Sequence, residues 1–436
     1  MTQEIRNRGR IVTAAGTGIN LALGVLYTWS IFKVAIKQSI ESGGAGAFNW
    51  NISSINDPYA VCCLIFACTM IIAGKCQDKF GPRITAITGG IFVGAGFILI
   101  SQTTSYTGWV AGFGVLIGAG IAFGYSSATP PALKWFPPSQ TGRIAGVVVS
   151  GFGLASVYIA PLAQYLLNKW GLQGAMLFFG ISFLIVVSLL SLLLVNPPAG
   201  YTPKEFAERR ANDEVGVKTR ASIKDTDCTP SGMIKSADFW LLWILYFVGA
   251  GAGLMVIGSV AGMAKNSMGD NAFLAVAIMA IGNAGGRIAA GAMSDKIGRT
   301  RTLAIVFILQ SALLIAAVPV VGASSANAAA LVFIATFIGF NYGANLALFP
   351  SFTKDFWGIK NFGVNYGLLF TAWGAGGFVM SKASQMLLAK SNNYTSSFIT
   401  AAVLLAFGAG LAYFVKDEKE MKRREIARRL AAGSVN

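Results

Sequence analysis

An arginine and an asparagine lie four residues apart in an apolar stretch of the chain, GNAGGRIAAGAMSDKIGR at positions 282–299. They are Asn283 and Arg287. Residues at i and i+4 share one face of a helix, so the Asn283 amide can orient the guanidinium of Arg287 or bind a ligand hydroxyl. A guanidinium binds a carboxylate through two parallel hydrogen bonds. The pair therefore predicts a site for a small carboxylate, if the surroundings keep water away.

The composition of the 436 residues is that of a membrane protein. It is 54% hydrophobic, 12% charged and free of histidine, with a mean hydropathy of +0.61, whereas soluble domains contain about 25% charged residues. In lipid, a helix satisfies its own backbone hydrogen bonds, and about 20 residues cross the bilayer. The sequence predicts an all-α membrane protein with twelve transmembrane helices, at 11–38, 54–76, 84–102, 106–133, 144–168, 174–195, 237–263, 272–294, 301–322, 327–352, 362–388 and 394–415.

The predicted depth of Arg287 favours a binding site. Arg287 lies eight residues before Asp295 in the following loop, which is about 12 Å into the membrane at about 1.5 Å per residue. Burial of a charge costs about 2.5–3.5 kcal/mol there, so the arginine needs a partner or a wet cavity. Asp57, Asp270 and Asp355 lie at other depths. An external anion is the predicted partner; the alternative is a structural arginine bonded to helix carbonyls alone.

Basic residues are concentrated on one side of the predicted membrane. With the N-terminus in the cytoplasm, 27 of the 34 Lys and Arg fall in cytoplasmic segments, which is the positive-inside pattern. We therefore expect a multi-pass protein of the cytoplasmic (inner) membrane with both termini in the cytoplasm. The net charge of +16 fits contact with the lipid bilayer, and nucleic acid is not an expected partner.

The chain is predicted to consist of two pseudo-symmetric six-helix halves. The most polar internal stretch separates six spans from six, and the pattern G-x-x-x-D-K-x-G occurs in both parts, at 74–83 and at 291–299. Paired halves with a site between them are typical of secondary transporters that work by alternating access. The predicted units are the N-terminal half, a cytoplasmic linker, the C-terminal half and a basic cytoplasmic tail, at 1–195, 196–236, 237–415 and 416–436.

The repeated loop motif supplies candidate gating residues. Asp78 and Asp295 can accept charge-assisted hydrogen bonds from a neighbouring helix end or a basic side chain, which would hold the cytoplasmic face closed in one state. Arg83 and Arg299 complete the two copies, and the glycine that precedes each helix start permits a tight turn. The alternative is that these charges are ordinary solvated loop residues.

The loop motif and four longer blocks resemble known families. The motif resembles the cytoplasmic loop signature of the major facilitator superfamily. The blocks ALGVLYTWSIF, FGYSSATPPALKWFP, NAGGRIAAGAMSDKIGR and ALFPSFTKDFWGIKNFGVNYG resemble the oxalate/formate antiporter family and the related monocarboxylate (lactate and pyruvate) transporters. The resemblance runs along essentially the whole chain. It implies that Arg287 binds the substrate carboxylate in a cavity lined by Tyr27, Tyr125, Tyr342, Phe370 and Trp373; without it, each aromatic is an ordinary core residue.

Two positions depart from the families that the chain resembles. Oxalate exchangers carry a lysine, a second cation, where this chain has Trp373, and the lactate carriers carry a proton-handling aspartate where it has Asn283. A single guanidinium leaves one charge of a dianion desolvated, so we predict a monocarboxylate such as lactate, pyruvate or formate. The alternative is an oxalate/formate-type dicarboxylate exchanger. Proton coupling and anion exchange both stay open, and Asp57 is the candidate proton carrier.

Other function classes lack the residues that they need. Without histidine, most acid–base and metal sites are excluded, the five cysteines form no CxxC pair, and no Walker loop is present. We expect no enzyme activity, cofactor or metal. A channel does not require two matched halves. The protein is expected to act as a monomer whose partners are the lipid bilayer, a small carboxylate and, in the symport alternative, a proton.

Overall fold

The computed structural model describes residues 7–44, 46–51, 54–198, 201, 227–268, 272–322, 327–391 and 394–415. These residues form helices and no β-strand, as predicted. The predicted tail at 416–436 and most of the predicted linker lie outside the described residues. The long helices of the described part are α1 Gly9–Ser42, α2 Asp57–Phe80, α3 Pro82–Ser101, α4 Tyr106–Lys134, α5 141–170, α6 172–191, α7 Ala237–Met268, α8 Ala272–Ile297, α9 Arg299–Gly322, α10 Ala328–Trp357, α11 Phe362–Ser391 and α12 Thr395–Ala412.

Ten stretches of the described part are long and apolar enough to cross a membrane. One of them, Thr141–Ser191, has 51 residues and contains two helices, because Gly171 at its break has φ 68° and ψ −177°. A positive φ is easily reached by glycine, which lacks Cβ. Phe362–Ser391 is not among the ten although it has 30 residues. The predicted all-helical membrane fold is confirmed, with several helices longer than predicted.

Two long interfaces join the first six helices to the last six. α5 packs on α8, and α2 packs on α11. A methyl group at Gly142 would overlap the backbone of Gly291, and one at Gly74 would overlap the backbone of Gly363. Small residues let helix backbones approach closely in a membrane. Both close contacts lie at one end of the bundle, where α2 and α8 end; we call it the motif end.

In each copy of the loop motif, the aspartate binds the start of a helix that belongs to the opposite set of six helices. Asp78 at the end of α2 accepts two hydrogen bonds of 3.0 Å from the N–H groups of residues 363–364, which begin α11. Asp295 at the end of α8 accepts two of 2.8 Å from the N–H groups of residues 142–143, which begin α5. A carboxylate at a helix N-terminus satisfies free N–H groups and complements the helix dipole. The first and last six helices are thus joined at two places of the motif end.

The glycine of each motif has the backbone conformation that its turn requires. Gly81 and Gly298 have φ of 82° and 98° and follow the last residues of α2 and α8. Residues with a Cβ adopt such φ angles at a cost. Both glycines therefore end one helix and allow the next to begin within a single residue.

The two motif arginines make different contacts. Arg299 binds Asp295 and also donates a 2.9 Å hydrogen bond from Nε to Asp355 of α10. Arg83 instead donates from Nε to the carbonyl oxygen of Leu194, 3.1 Å away and just beyond α6. The aspartates of the two copies therefore make equivalent contacts, whereas the arginines do not.

α1 changes its geometry in the middle. Gly24–Thr28 forms a 3₁₀ turn between the α-helical segments Gly9–Leu23 and Trp29–Ser42, and Tyr27 belongs to this turn. A 3₁₀ stretch within an α-helix often marks a functional hinge. A substitution of Gly24 is blocked by Phe152 and Ala155 of α5, against which the turn packs.

Candidate substrate site

Arg287 of α8 is fully buried, with 0% of its surface exposed. Its Nε donates a 2.8 Å hydrogen bond to Oδ1 of Asn283, one turn earlier on the same helix. Its Nη1 donates to the carbonyl oxygen of Val149 on α5. Its Nη2 is buried and has no hydrogen-bond partner. Gly153 of α5 makes this approach possible, because a Cβ there would lie 2.8 Å from Oδ1 of Asn283.

The charge of Arg287 is not neutralised by a protein carboxylate in the described part of the chain. Carboxylates there pair with other cations, as Asp295 and Asp355 do with Arg299 and Glu41 does with Lys37. The bond to the Val149 carbonyl is the contact that a structural arginine would make, but it uses only one of the two terminal nitrogens. A buried cation with a free N–H donor favours an anion as its partner.

A chain of hydrogen bonds between ring side chains lies beside the guanidinium. The indole N–H of Trp373 on α11 donates to the hydroxyl of Tyr342 on α10, at 2.9 Å. The hydroxyls of Tyr342 and Tyr27 are 2.9 Å apart, and Tyr27 also faces Arg287. Because an indole N–H only donates, the Tyr342 oxygen is the acceptor of that bond. These three side chains come from α1, α10 and α11, so the site lies between the first and last six helices.

Aromatic rings surround this polar group. Phe370 stacks on Trp373 with centroids 5.0 Å apart, and Phe66 of α2 lies 5.0 Å from Phe370 and 5.4 Å from Trp373. Phe152 of α5 makes an edge contact with Tyr27 at 5.2 Å. Such rings exclude water and strengthen the electrostatic interactions of the guanidinium.

The model of the Major Facilitator Superfamily matches residues 14–381 of the chain. The chain belongs to the major facilitator superfamily. It is therefore a membrane transporter rather than an enzyme, which confirms the predicted transport function and the prediction that the chain is not an enzyme. The twelve described helices and the duplicated loop motif are consistent with this membership.

Three relatives cover most of this major facilitator chain. The oxalate:formate antiporter of Oxalobacter formigenes is 27% identical over 400 residues, which are 90% of this chain and 87% of the relative. Monocarboxylate transporter 13 of Rattus norvegicus is 28% identical over 393 residues, 90% of this chain and 85% of the relative. The MFS-type transporter YhjX of Escherichia coli strain K12 is 27% identical over 384 residues, 86% and 88% of the two chains.

Solved structures of the superfamily share the fold. The fucose:proton symporter FucP of Escherichia coli superimposes with a TM-score of 0.63 and covers 94% of this chain and 100% of its own. The sequence identity is 15%. The likeness shows the major facilitator fold and nothing about substrate.

Not all predicted site residues of this major facilitator protein lie together. Asn283, Tyr27, Tyr342 and Trp373 lie around Arg287, and Tyr125 and Phe370 contact each other nearby, with centroids 5.6 Å apart. Asp78, Arg83, Asp295 and Arg299 lie at the motif end. Asp57 begins α2 at the opposite end, where it accepts a 3.0 Å hydrogen bond from the hydroxyl of Tyr106.

Sequence reasoning missed five residues that contact the site or lie beside it. The rings of Phe66 and Phe152 and the carbonyl of Val149 belong to apolar helix faces, where no polar residue marks a site in the sequence. Tyr366 follows Asn365 in the NYG motif, and its position one or two turns from Phe370 and Trp373 on α11 was the available signal. The five are Phe66, Val149, Phe152, Tyr246 and Tyr366.

Proposed function

We propose that this protein carries small monocarboxylates of the lactate, pyruvate or formate class across the membrane by alternating access. The observation that carries the proposal is the buried Nη2 of Arg287, which has no hydrogen-bond partner. A carboxylate placed there receives a charge-assisted hydrogen bond and neutralises the cation. The oxalate:formate antiporter and the monocarboxylate transporters among the relatives support an anionic substrate.

The protein groups around Arg287 favour a single negative charge. Trp373 occupies the position where the resembled exchangers carry a lysine, and its N–H is already bonded to Tyr342. One carboxylate is matched by one guanidinium, whereas the second carboxylate of a dianion would be desolvated among aromatic rings. An oxalate/formate-type dicarboxylate exchanger is the second candidate, favoured by the similarity to the Oxalobacter protein.

We propose anion exchange as the mode of coupling. A symport mechanism needs a group that takes up a proton beside the substrate, and Asn283 fills that position with a neutral amide. Asp57 lies nine residues before the nearest α2 ring of the site, Phe66, and binds Tyr106 instead. In exchange, an empty carrier does not readily pass through the occluded state, because that state would bury an uncompensated cation, so only the loaded carrier crosses readily.

We propose that the motif end faces the cytoplasm of an inner membrane. The basic residues in the turns between α2 and α3 and between α8 and α9 lie at this end, as does Lys235 before α7. This distribution supports cytoplasmic termini. The two halves at 1–195 and 237–415 then move as units about Arg287, and the described arrangement is closed toward the cytoplasm.

Counterflow in proteoliposomes tests substrate and coupling together. Vesicles loaded with lactate should take up labelled pyruvate, and oxalate inside should not replace lactate. If the protein is an exchanger, a more acidic medium outside the vesicles should leave the rate of counterflow unchanged. Vesicles without internal lactate should accumulate little pyruvate. Accumulation driven by the pH gradient in empty vesicles would contradict exchange, and equal counterflow with oxalate would establish the dicarboxylate exchanger instead.

A further inference from the structure

The turn between α10 and α11 is bound by two residues that precede α7 in the chain. Oδ1 of Asp227 accepts hydrogen bonds from the N–H groups of residues 359–360, at 3.2 and 3.0 Å. The N–H of Cys228 donates to the carbonyl oxygen of Trp357 at 3.0 Å. A Cβ at Gly358 would lie 2.5 Å from Oδ1 of Asp227, so the contact requires a glycine there. We call Asp227 and Cys228 the anchor.

The anchor also binds two asparagines at the start of α11. The carbonyl oxygen of Cys228 accepts hydrogen bonds from Nδ2 of Asn361 at 3.2 Å and from Nδ2 of Asn365 at 3.1 Å. Asn361 immediately precedes α11, and Asn365 lies in its first turn, where it is fully buried. Asn365 is the asparagine of the NYG motif. The anchor therefore fixes both the turn and the first residues of α11.

Asn361 occupies the position from which a helix usually caps itself. An asparagine just before a helix accepts hydrogen bonds through its side-chain oxygen from the second or third N–H group of that helix. In α11 these N–H groups belong to residues 363–364, and Asp78 of α2 accepts both, at 3.0 Å each. Asn361 donates to Cys228 instead. The start of α11 thus depends on a carboxylate from the opposite set of six helices.

The start of α5 differs from that of α11 in this respect. Gln140 precedes α5, and its side chain does not cap the helix. Glutamine is not among the residues that favour this position. Asp295 accepts hydrogen bonds from the N–H groups of residues 142–143. A cap from the helix's own preceding residue can therefore compete with a motif aspartate at α11 but not at α5.

We propose that the anchor is a positioning element of the gate at the motif end, because it keeps Asn361 from capping α11. While Cys228 holds Asn361, movement of Asp78 away from α11 leaves the N–H groups of residues 363–364 without an acceptor, which makes opening costly. Release of the anchor frees the Asn361 side chain to supply that acceptor, so opening costs less. The anchor thereby stabilises the closed state, although the partners named above all belong to the last six helices.

The variant Asn361→Asp tests whether capping of α11 controls the gate. A carboxylate cannot donate to the Cys228 carbonyl, and it is a strong cap at a helix start. Double electron–electron resonance between spin labels at Phe80 and Ile297, both exposed, measures the separation in the purified full chain. The ratio of open to closed protein should rise about fivefold or more. A cysteine-free background keeps the anchor, because Cys228 makes these contacts with its backbone.

The variant Asp227→Ala tests the anchor itself. It should raise the same ratio about three- to tenfold, because the turn is no longer held and Asn361 is released. The double variant Asp227→Ala/Asn361→Ala should return the ratio to within about twofold of the wild type, since alanine offers no cap. Thr229→Ala is the matched control. Thr229 caps the short helix Pro230–Ile234 through a 3.3 Å hydrogen bond from Gly232, and its loss should leave the separation unchanged.

Two results would overturn the role of the anchor. An unchanged separation in Asn361→Asp shows that capping of α11 does not control opening, and this test stands even if Asp227→Ala does not fold. Equal opening in Asp227→Ala and in the double variant shows that the anchor only braces the turn. Neither measurement uses a substrate, so a failed counterflow experiment refutes the proposed function and leaves the anchor unaffected.

Discussion

At the scale of single residues, the proposed function depends on how the donors of Arg287 are distributed. Nε is used by Asn283, Nη1 by the carbonyl of Val149, and Nη2 is free among the described residues. Two fixed bonds hold the guanidinium plane in place, so the free nitrogen is directed rather than mobile. A planar fork with fixed orientation is specific to arginine.

Arg287→Lys keeps the charge and removes the fork. We expect counterflow of pyruvate to fall by at least about tenfold, because an ammonium group cannot bind Asn283, Val149 and a carboxylate in the same geometry. Rates in proteoliposomes give the answer, and the exposed Arg301→Lys serves as the matched control. Wild-type rates for Arg287→Lys would refute Arg287 as the substrate ligand.

Trp373→Lys adds the second cation that the resembled exchangers possess. We expect the variant to accept oxalate as a counter-substrate, with lactate exchange reduced because the stack on Phe370 is lost. Trp373→Phe is the control, since it removes the N–H donor to Tyr342 without adding charge, and it should not admit oxalate. If a folded Trp373→Lys variant still rejects oxalate, charge matching is not the basis of selectivity.

At the scale of elements, the motif end is closed by two similar contacts. The carboxylates of Asp78 and Asp295 each cap a helix from the other six, and Lys354 of α10 donates a 2.6 Å hydrogen bond to Thr141 at the start of α5. Helix starts present free N–H groups that must find partners. Separation of the two sets of helices at this end would take the carboxylates away from these N–H groups, so we expect the contacts to stabilise the closed state.

Asp78→Asn and Asp295→Asn should each shift the protein toward opening at the motif end. Loss of the charge weakens two hydrogen bonds, and about 1–2 kcal/mol corresponds to a five- to thirtyfold change in the population ratio. Spin labels at Phe80 and Ile297, both exposed, report the separation by double electron–electron resonance in a cysteine-free background. Asp57→Asn at the opposite end is the control, and unchanged distances in both variants would contradict the gating role.

At the scale of the whole molecule, the residues around Arg287 come from different parts of the bundle. Arg287 and Asn283 belong to α8, whereas Val149 belongs to α5 and Tyr27 to α1. Relative movement of the two sets of helices therefore changes the surroundings of the guanidinium. This coupling of site geometry to helix separation is what alternating access requires.

The predicted orientation is testable on the intact chain. A green fluorescent protein fused after residue 436 should fluoresce, and alkaline phosphatase fused there should be inactive, because the basic segments hold the C-terminus in the cytoplasm. Fusions after Trp50, between α1 and α2, provide the control and should show the opposite behaviour. An active phosphatase at the C-terminus would reverse the orientation and place the closed motif end outside.

The sequence by itself determined the membrane class, the helix number, the superfamily and the shared helix face of Asn283 and Arg287. These properties depend on local composition and on residues a few positions apart, such as Asn283 and Arg287, which share a helix face whatever surrounds them. The aspartates of the loop motif were also recognisable, because their pattern is repeated. In the structure, Asp78 and Asp295 accept hydrogen bonds from backbone N–H groups at the starts of helices in the other set of six.

Only the tertiary structure decided which atoms meet. Arg287 and Val149 are 138 positions apart, Asp78 and Gly363 are 285 apart, and Tyr27 and Tyr342 are 315 apart. No local pattern shows which nitrogen of the guanidinium remains free or that Tyr125, Tyr246 and Tyr366 surround one ring, that of Phe370. Apolar helices in a membrane pack by shape, through glycines that let particular backbones touch, and that complementarity exists only between assembled helices.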